Sequence, residues 1–264
     1  MDLGIHGRRA LVTGGVRGIG GAITRELLKE GVIVYATSRS KSAIQSFVES
    51  KPINISNFRG IEIEISESNL ETELIEPIQK AVGHLDILVN NAGDTLGIVD
   101  PYCSTSDWRR IWRLNTEIPI ELSNLLIPGM KEQHWGRIVN ITSCAGLENS
   151  GPVTFSVTKA ALTAYTRSMG RVLATEEEGI VMSAIFPGVV ATENGHWNKV
   201  MAEDPERAEK YLQERCPIGR FGLEEEISPV VAFYCSQLAS FSHGAIVPVD
   251  AGQSKHYMSF NYLS

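Results

Sequence analysis

The feature that most constrains this chain is a regular alternation of short apolar runs with helix-periodic stretches. RALVTGG, VIVYATS, IEIEIS, DILVNNAG, RIVNITS, VMSAIFPG and AIVPVD each read as a strand, bounded by glycine, proline or polar turn residues. Between them the apolar positions fall at helical spacing. The clearest set is Ile19, Ile23 and Leu27, closed by Gly31. Strands alternating with helices in this way form a parallel sheet covered on both faces. The expectation is one α/β domain over residues 1–264, a doubly wound, three-layer sheet, because no repeat, low-complexity segment or linker interrupts the pattern.

Residues 193–225 depart from the alternation, being polar and helix-prone between the sixth strand and the last helix. An insertion there lies over the carboxyl ends of the strands, where open α/β sheets bind ligands, so it is read as a substrate lid. A surface helix pair is the plainer alternative.

Composition bounds the partners. A formal net charge of −7 without a polybasic run argues against nucleic acid or an anionic membrane surface. No apolar stretch approaches a membrane span, and the first residues do not read as a signal peptide. The four cysteines, Cys103, Cys144, Cys216 and Cys235, form no C-x-x-C pair, and the six histidines show no ligand spacing. No metal site is expected, and a reducing, cytoplasmic location is.

The sequence TGGVRGIG follows the first strand and opens the first helix. Gly14, Gly18 and Gly20 permit a tight turn whose backbone N–H groups approach a pyrophosphate, at the positive end of the helix. NAD-binding chains carry an acidic residue about 20 residues further on. Here the second strand ends Thr37-Ser38-Arg39, and no Asp or Glu occurs between Glu30 and Glu49. Arg17 and Arg39 can clamp a 2′-phosphate that a carboxylate would repel. The expected cofactor is therefore NADP(H) in preference to NAD(H).

TGGVRGIG, NNAG at 90–93, IVNITS ending at Ser143 and FPGVVAT at 186–192, in this order, resemble the classical short-chain dehydrogenases/reductases from about residue 5 to about residue 254. The resemblance implies a seven-stranded Rossmann sheet and a homotetramer or homodimer built through the long helices flanking the fifth strand. It implies further that Gly14, Val16, Arg17, Gly18, Ile19, Gly20, Ser38 and Arg39 hold the dinucleotide. Asn91, Ala92 and Gly93 lie beside the adenosine ribose, and Glu64 and Ile65 near the adenine, with Glu64 standing where the family usually has Asp. Pro187, Gly188, Val190 and Thr192 match the residues that hold the nicotinamide carboxamide and neighbouring phosphate. Asn115 matches the asparagine that organises a relay water, Ser143 the serine that binds the substrate oxygen, and Lys159 the lysine that binds the nicotinamide ribose. Taken alone, such a serine is a turn residue and such a lysine a solvated one; the ordered set of motifs gives them roles.

The family's catalytic tyrosine is absent. Its Y-x-x-x-K is here Phe155-Ser156-Val157-Thr158-Lys159. Phenylalanine can neither give nor take a proton, and loss of a general acid–base costs on the order of 10²–10⁴ in rate. Three readings stand at this point: a substitution engineered to trap substrate and cofactor, a natural variant with another proton source or hydride acceptor, and a dinucleotide-binding subunit without turnover. Candidate alternative donors are a water held by Asn115 and Lys159 and the hydroxyls of Ser143, Thr154 and Ser156.

For the substrate, Ser143, Ala145, Phe155, Val189 and Trp197 are the candidate pocket residues, Trp197 either stacking on a sugar ring or anchoring the lid. The stretch from KAALTAYTRSMGRVLA through ERCPIGRFG looks like short-chain dehydrogenases encoded with surface-polysaccharide or flagellin-glycan genes, which implies a sugar-derived ketone. An acyl-carrier ketoreductase is the competitor, with Arg109, Arg110 and Arg113 as a basic patch or, with Trp108 and Trp112, an oligomer face. The aromatic segment at 256–262 is expected to pack on a neighbouring subunit.

Overall fold

A computed structural model of the chain describes residues 1–50, 55–148, 150–193 and 195–255. Its strands are β1 (Arg9–Val12), β2 (Ile33–Ser38), β3 (Phe58–Glu62), β4 (Ile87–Asn90), β5 (Gly136–Ile141), β6 (Ile180–Pro187) and β7 (Ile246–Val249). All seven lie parallel in one sheet ordered β3-β2-β1-β4-β5-β6-β7. The order reverses between β1 and β4, and the crevice at the carboxyl ends of those two strands is where a sheet of this kind receives ligands.

The two faces follow from the two-residue period of a strand. Ala10 and Val12 of β1, Val34 and Ala36 of β2 and Ile87 and Val89 of β4 point to one face. There they meet Ile23 and Leu27 of α1 (Gly18–Lys29), Phe47 of α2 (Lys41–Glu49) and Ile227 and Val231 of α9 (Glu224–Tyr234). Leu11, Tyr35, Leu88 and Ile138 point the other way, onto Ile78 of α3 (Glu76–Val82), Leu122 and Leu126 of α5 (Ile118–Glu132) and Leu173 of α6 (Val153–Glu176). The expected three-layer, doubly wound α/β fold is thus present, with α1 ending before Gly31 at φ 76°.

One local expectation is corrected. The third strand is Phe58–Glu62, not the alternating IEIEIS at 61–66. Packing fixes this register: Phe58 stacks on Phe47 at 4.8 Å, and a side chain at Gly60 would collide with Ile44 of α2. The chain then leaves the sheet, and Ile65 turns into the core. The helix carrying Asn115 is not uniform. α4 (Thr105–Trp112) passes through a π-helical turn, Arg113–Glu117, into α5.

Residues 193–225 contain α7 (His196–Glu203) and α8 (Pro205–Arg215), which share a small core of Val200, Ala208 and Phe221. The segment 256–262 lies outside the described residues. Among the described residues no helix is long and apolar enough to cross a membrane, and no cluster of His, Cys, Asp or Glu is placed to hold a metal ion.

Candidate active site

The glycine turn is shaped by close approach rather than by flexibility. Gly14 and Gly18 adopt φ of 62° and 58°. A side chain on Gly20 would strike the Asn91 amide and the Gly14 carbonyl, and one on Gly15 would meet Ala36 Cβ, Thr24 Oγ1 and Val12 O, each at 2.9 Å. The turn is pinned from both neighbouring strands. Gly14 N–H donates to Thr37 Oγ1 at 3.1 Å and Asn91 Nδ2 donates to Thr13 O at 2.9 Å. Thr13 Oγ1 accepts the N–H groups of Asn91 and Ala92, both at 3.0 Å. Val16 is buried beneath the turn, Ile19 half-buried and Arg17 exposed. A side chain at Gly18 would face Thr192 across 3.7 Å, so the glycine turn and the FPGVVAT segment converge.

Arg39, beyond Ser38 at the end of β2, is exposed, with its Nε 3.8 Å from Glu64 Oε2. Glu64 also accepts from the Ser66 hydroxyl at 2.6 Å, while Ile65 beside it is buried. The guanidinium therefore has a weak, solvent-screened partner that a phosphate can outcompete.

Two of the candidate catalytic side chains, Asn115 and Lys159, meet beside Gly93. A Cβ placed there would lie 2.8 Å from both Asn115 Oδ1 and Lys159 Nζ, so these atoms border one small space. The π turn makes this possible. It swings Asn115 inward, where its Nδ2 donates to Asp94 O at 2.8 Å and Ile111 O at 3.0 Å. Its Oδ1 is left buried without a partner. Lys159 is 4% exposed and donates from Nζ to Ile141 O at 2.9 Å. Burial pushes its ammonium down to about 8. Ser143 begins the turn after β5, and its Oγ accepts the Ala145 N–H at 3.2 Å. A buried, unpaired amide oxygen facing an amine that has spare protons is a ready seat for a small polar molecule.

Phe155 lies one helical turn before Lys159, its ring centroid 5.7 Å from Nζ. Ala145 and Phe155 both border Gly151. Of the other hydroxyls, Thr154 is buried and already donates to Ile98 O at 2.9 Å, and Ser156 Oγ is buried without a partner. Asn90 serves the sheet, its Nδ2 bonding Asn140 Oδ1 at 2.8 Å across β4 and β5.

On the far side, Pro187 ends β6, and Gly188 permits contact with Asp250, whose Cα would lie 2.8 Å from a side chain there. Val189 and Val190 are braced by Gly222, through Gly222 N to Val189 O at 3.0 Å and a bridge from Val190. Trp197 stacks on Tyr211 at 4.1 Å and Phe221 at 5.1 Å, within the core shared by α7 and α8. Two polar residues escaped the sequence reading. Gln253 accepts Val189 N–H at 2.7 Å and donates to Tyr211 Oη at 2.9 Å, joining the Val189 loop to α8. Glu224, at the start of α9, accepts Glu193 N–H at 3.1 Å. Neither belongs to a spacing pattern that marks it beforehand.

Comparison with known proteins bears on the family and the fold. A family model described as short chain dehydrogenase matches residues 8–201. The chain is 36% identical over 258 residues to a 3-oxoacyl-(acyl-carrier-protein) reductase of Aquifex aeolicus, covering 96% of this chain and 99% of that protein. A reductase of the same name from Pseudomonas aeruginosa is 33% identical, covering 97% and 100%. Among solved structures, L-sorbose reductase from Gluconobacter frateurii, complexed with NADPH and L-sorbose, superposes with a TM-score of 0.84 at 27% identity, over 98% of this chain and 100% of that one.

Proposed function

The chain belongs to the short-chain dehydrogenase family, and on that footing we propose that it interconverts a ketone and a secondary alcohol with NADP(H), at a rate held down by Phe155. The observation that carries the reading is the convergence of Lys159 Nζ and Asn115 Oδ1 on Gly93, in a fold whose glycine turn packs against β2 at Gly15 and against Asn91 at Gly20.

The residues fit a dinucleotide. Gly14, Val16, Gly18, Ile19 and Gly20 present backbone N–H groups at the start of α1 to the pyrophosphate. Ser38, Arg17 and Arg39 hold a 2′-phosphate, Glu64 and Ile65 flank the adenine, and Asn91, Ala92 and Gly93 the ribose. Pro187, Gly188, Val190 and Thr192 hold the nicotinamide end. The solved L-sorbose reductase, complexed with NADPH, supports the choice of NADP(H), as does the absence of an acidic residue at the end of β2.

When bound, NADPH supplies a hydride to the carbonyl carbon. Ser143 donates its hydroxyl hydrogen to the substrate oxygen and fixes its direction. Lys159 bonds the ribose and, with Asn115 Oδ1, holds a water in the space by Gly93. With Phe155 at the tyrosine's place on α6, the water held by Lys159 and Asn115 would give the oxygen its proton and be recharged from solvent, a slower route than a tyrosine hydroxyl. Ala145, Val189 and Trp197 border the substrate, and residues 193–225 close over it as a lid.

The substrate we favour is a sugar-derived ketone. Support comes from the likeness to L-sorbose reductase and from the charge on α4. Arg110 lies 3.4 Å from Asp107, and Arg113 pairs with Glu117 and Glu121, so two of the three arginines offered to an acidic carrier are already engaged by carboxylates and Arg109 is left. The second reading, an acyl-carrier ketoreductase, is favoured by the names of the curated relatives. Exposed Trp112, Val157 and Val172 on α4 and α6 support a homotetramer or homodimer, and unpaired cysteines among the described residues suit the cytoplasm.

The test is NADPH oxidation by this chain and Phe155→Tyr against keto-sugars and 3-oxoacyl thioesters, with NADPH binding measured in parallel. Turnover of keto-sugars that rises with Tyr supports the proposal. Turnover confined to thioesters replaces the substrate, and tight binding with no turnover by either form points to a binding subunit.

A further inference from the structure

Glu224 stands where an anion is poorly placed. Its Oε1 lies 4.0 Å from the point a side chain on Gly18 would occupy, and Thr192 Cβ and Cγ2 lie 3.7 Å from the same point. Oε1 also accepts the backbone N–H of Glu193, the first residue of the lid segment, at 3.1 Å. A carboxylate on the first residue of α9 ordinarily serves the helix dipole. This one, however, faces α1 and the glycine turn, and is partly desolvated.

Its electrostatic surroundings are mixed. Burial pushes the Glu224 carboxyl up, and the neighbouring carboxylates Glu225 and Glu193 add to the rise, whereas the Glu193 N–H and Arg25 of α1 oppose it. Arg25 is occupied elsewhere: it lies over the Phe47 ring at 4.1 Å and donates to Ser50 Oγ at 2.7 Å. Its Nη1 is buried without a hydrogen-bond partner. Glu224 thus ties the two ends of the 193–225 segment together by a single hydrogen bond and has no ion pair within bonding distance among the described residues.

We propose that Glu224 gates dinucleotide entry: tied to Glu193, its carboxylate opposes the pyrophosphate charge at Gly18 and Thr192, and binding draws a proton onto it. This rests on the reading that Gly18 and Thr192 face the pyrophosphate. The sign follows from linkage. An anion beside the carboxylate favours its protonated form, so the bound state takes up the proton at higher pH than the free state, and affinity rises as pH falls through that interval.

The test is a fluorescence titration of the full chain with NADH, which lacks the titrating 2′-phosphate, and with NADPH, from pH 5.5 to 8.5. Glu224→Gln keeps the acceptor for the Glu193 N–H while removing the charge. It is expected to bind NADH on the order of ten-fold more tightly at pH 8, the size of a like-charge contact in a partly screened site, and to lose most of the wild-type pH dependence. The wild-type profile tests the gate independently of any effect of the substitution on folding, since affinity should increase toward low pH. Equal affinities and parallel pH profiles in the two forms, with dinucleotide bound, overturn the gate and leave Glu224 as a helix-dipole residue. No binding by either form overturns the cofactor-site reading itself, and the gate with it.

Discussion

Replacing Lys159 by Met should make the protein more stable at neutral pH while removing its chemistry. Lys159 is 4% exposed, and burial lowers its pKa from 10.5 to about 8. At about 1.4 kcal/mol per tenfold change in proton affinity, holding the ammonium in the fold at pH 7 costs about 3 kcal/mol. Methionine has similar length and no charge, but it abandons the hydrogen bond to Ile141 O, a loss of about 1 kcal/mol. The net expectation is a gain of about 2 kcal/mol at pH 7, or roughly 4 °C in Tm for a chain of this size. The sign reverses with pH. Because the folded-state pKa is depressed, the folded protein loses this proton first, so wild-type stability from this group climbs between about pH 8 and the unfolded value near 10.5. Lys159→Met lacks that climb, and its advantage should vanish by about pH 10. Urea unfolding of both forms from pH 7 to 10 gives the difference directly, other titrating groups cancelling between them. A variant less stable than wild type at pH 7, with an unchanged pH slope, would mean that the buried ammonium costs the fold nothing.

Other consequences are more local. Arg39→Asp should raise the Kd for NADPH by about 10² through loss of a charge-assisted contact and leave NADH binding equal or tighter. Its Tm should barely move, because the 3.8 Å pairing with Glu64 is exposed. Gly15→Ala places a methyl 2.9 Å from three atoms of the packed turn, which should cost about 2 kcal/mol in urea unfolding and weaken NADPH binding together with it. Trp197→Ala removes the ring that Tyr211 and Phe221 pack on. Limited proteolysis should then cut within 196–215 faster, with the unfolding midpoint of the sheet nearly unchanged.

Much of this was legible in the residues because the signals are local. The period-2 runs fall on the strands that bury Leu11 and Val12 on opposite faces, and Ile19, Ile23 and Leu27 mark the helix that follows the glycine turn. The motifs at Asn91, Asn115, Ser143 and Lys159 could be read in order. What they build could not, since Asn115 reaches Lys159 at Gly93 from a π turn. That turn is a backbone choice made by packing, with Thr116 bonding the Thr158 carbonyl at 3.0 Å across to α6. The third strand failed for a related reason. IEIEIS alternates as a strand should, but the contacts of Phe58 with Phe47 and of Gly60 with Ile44 decide the register. Gln253 and Glu224 carry no local pattern at all. Their partners, Val189, Tyr211 and Glu193, lie between 31 and 64 residues away in sequence.

We propose a dehydrogenase site complete except for its acid. It is tested most directly by following deuterium from NADPH labelled at the transferring position into the carbinol carbon of a keto-sugar, in single turnovers of the chain and of Phe155→Tyr. Transfer is expected from both forms, with the tyrosine form faster by about 10² or more. Label transfer at the same rate in both, or none in the tyrosine form with NADPH and ketone bound, would contradict it.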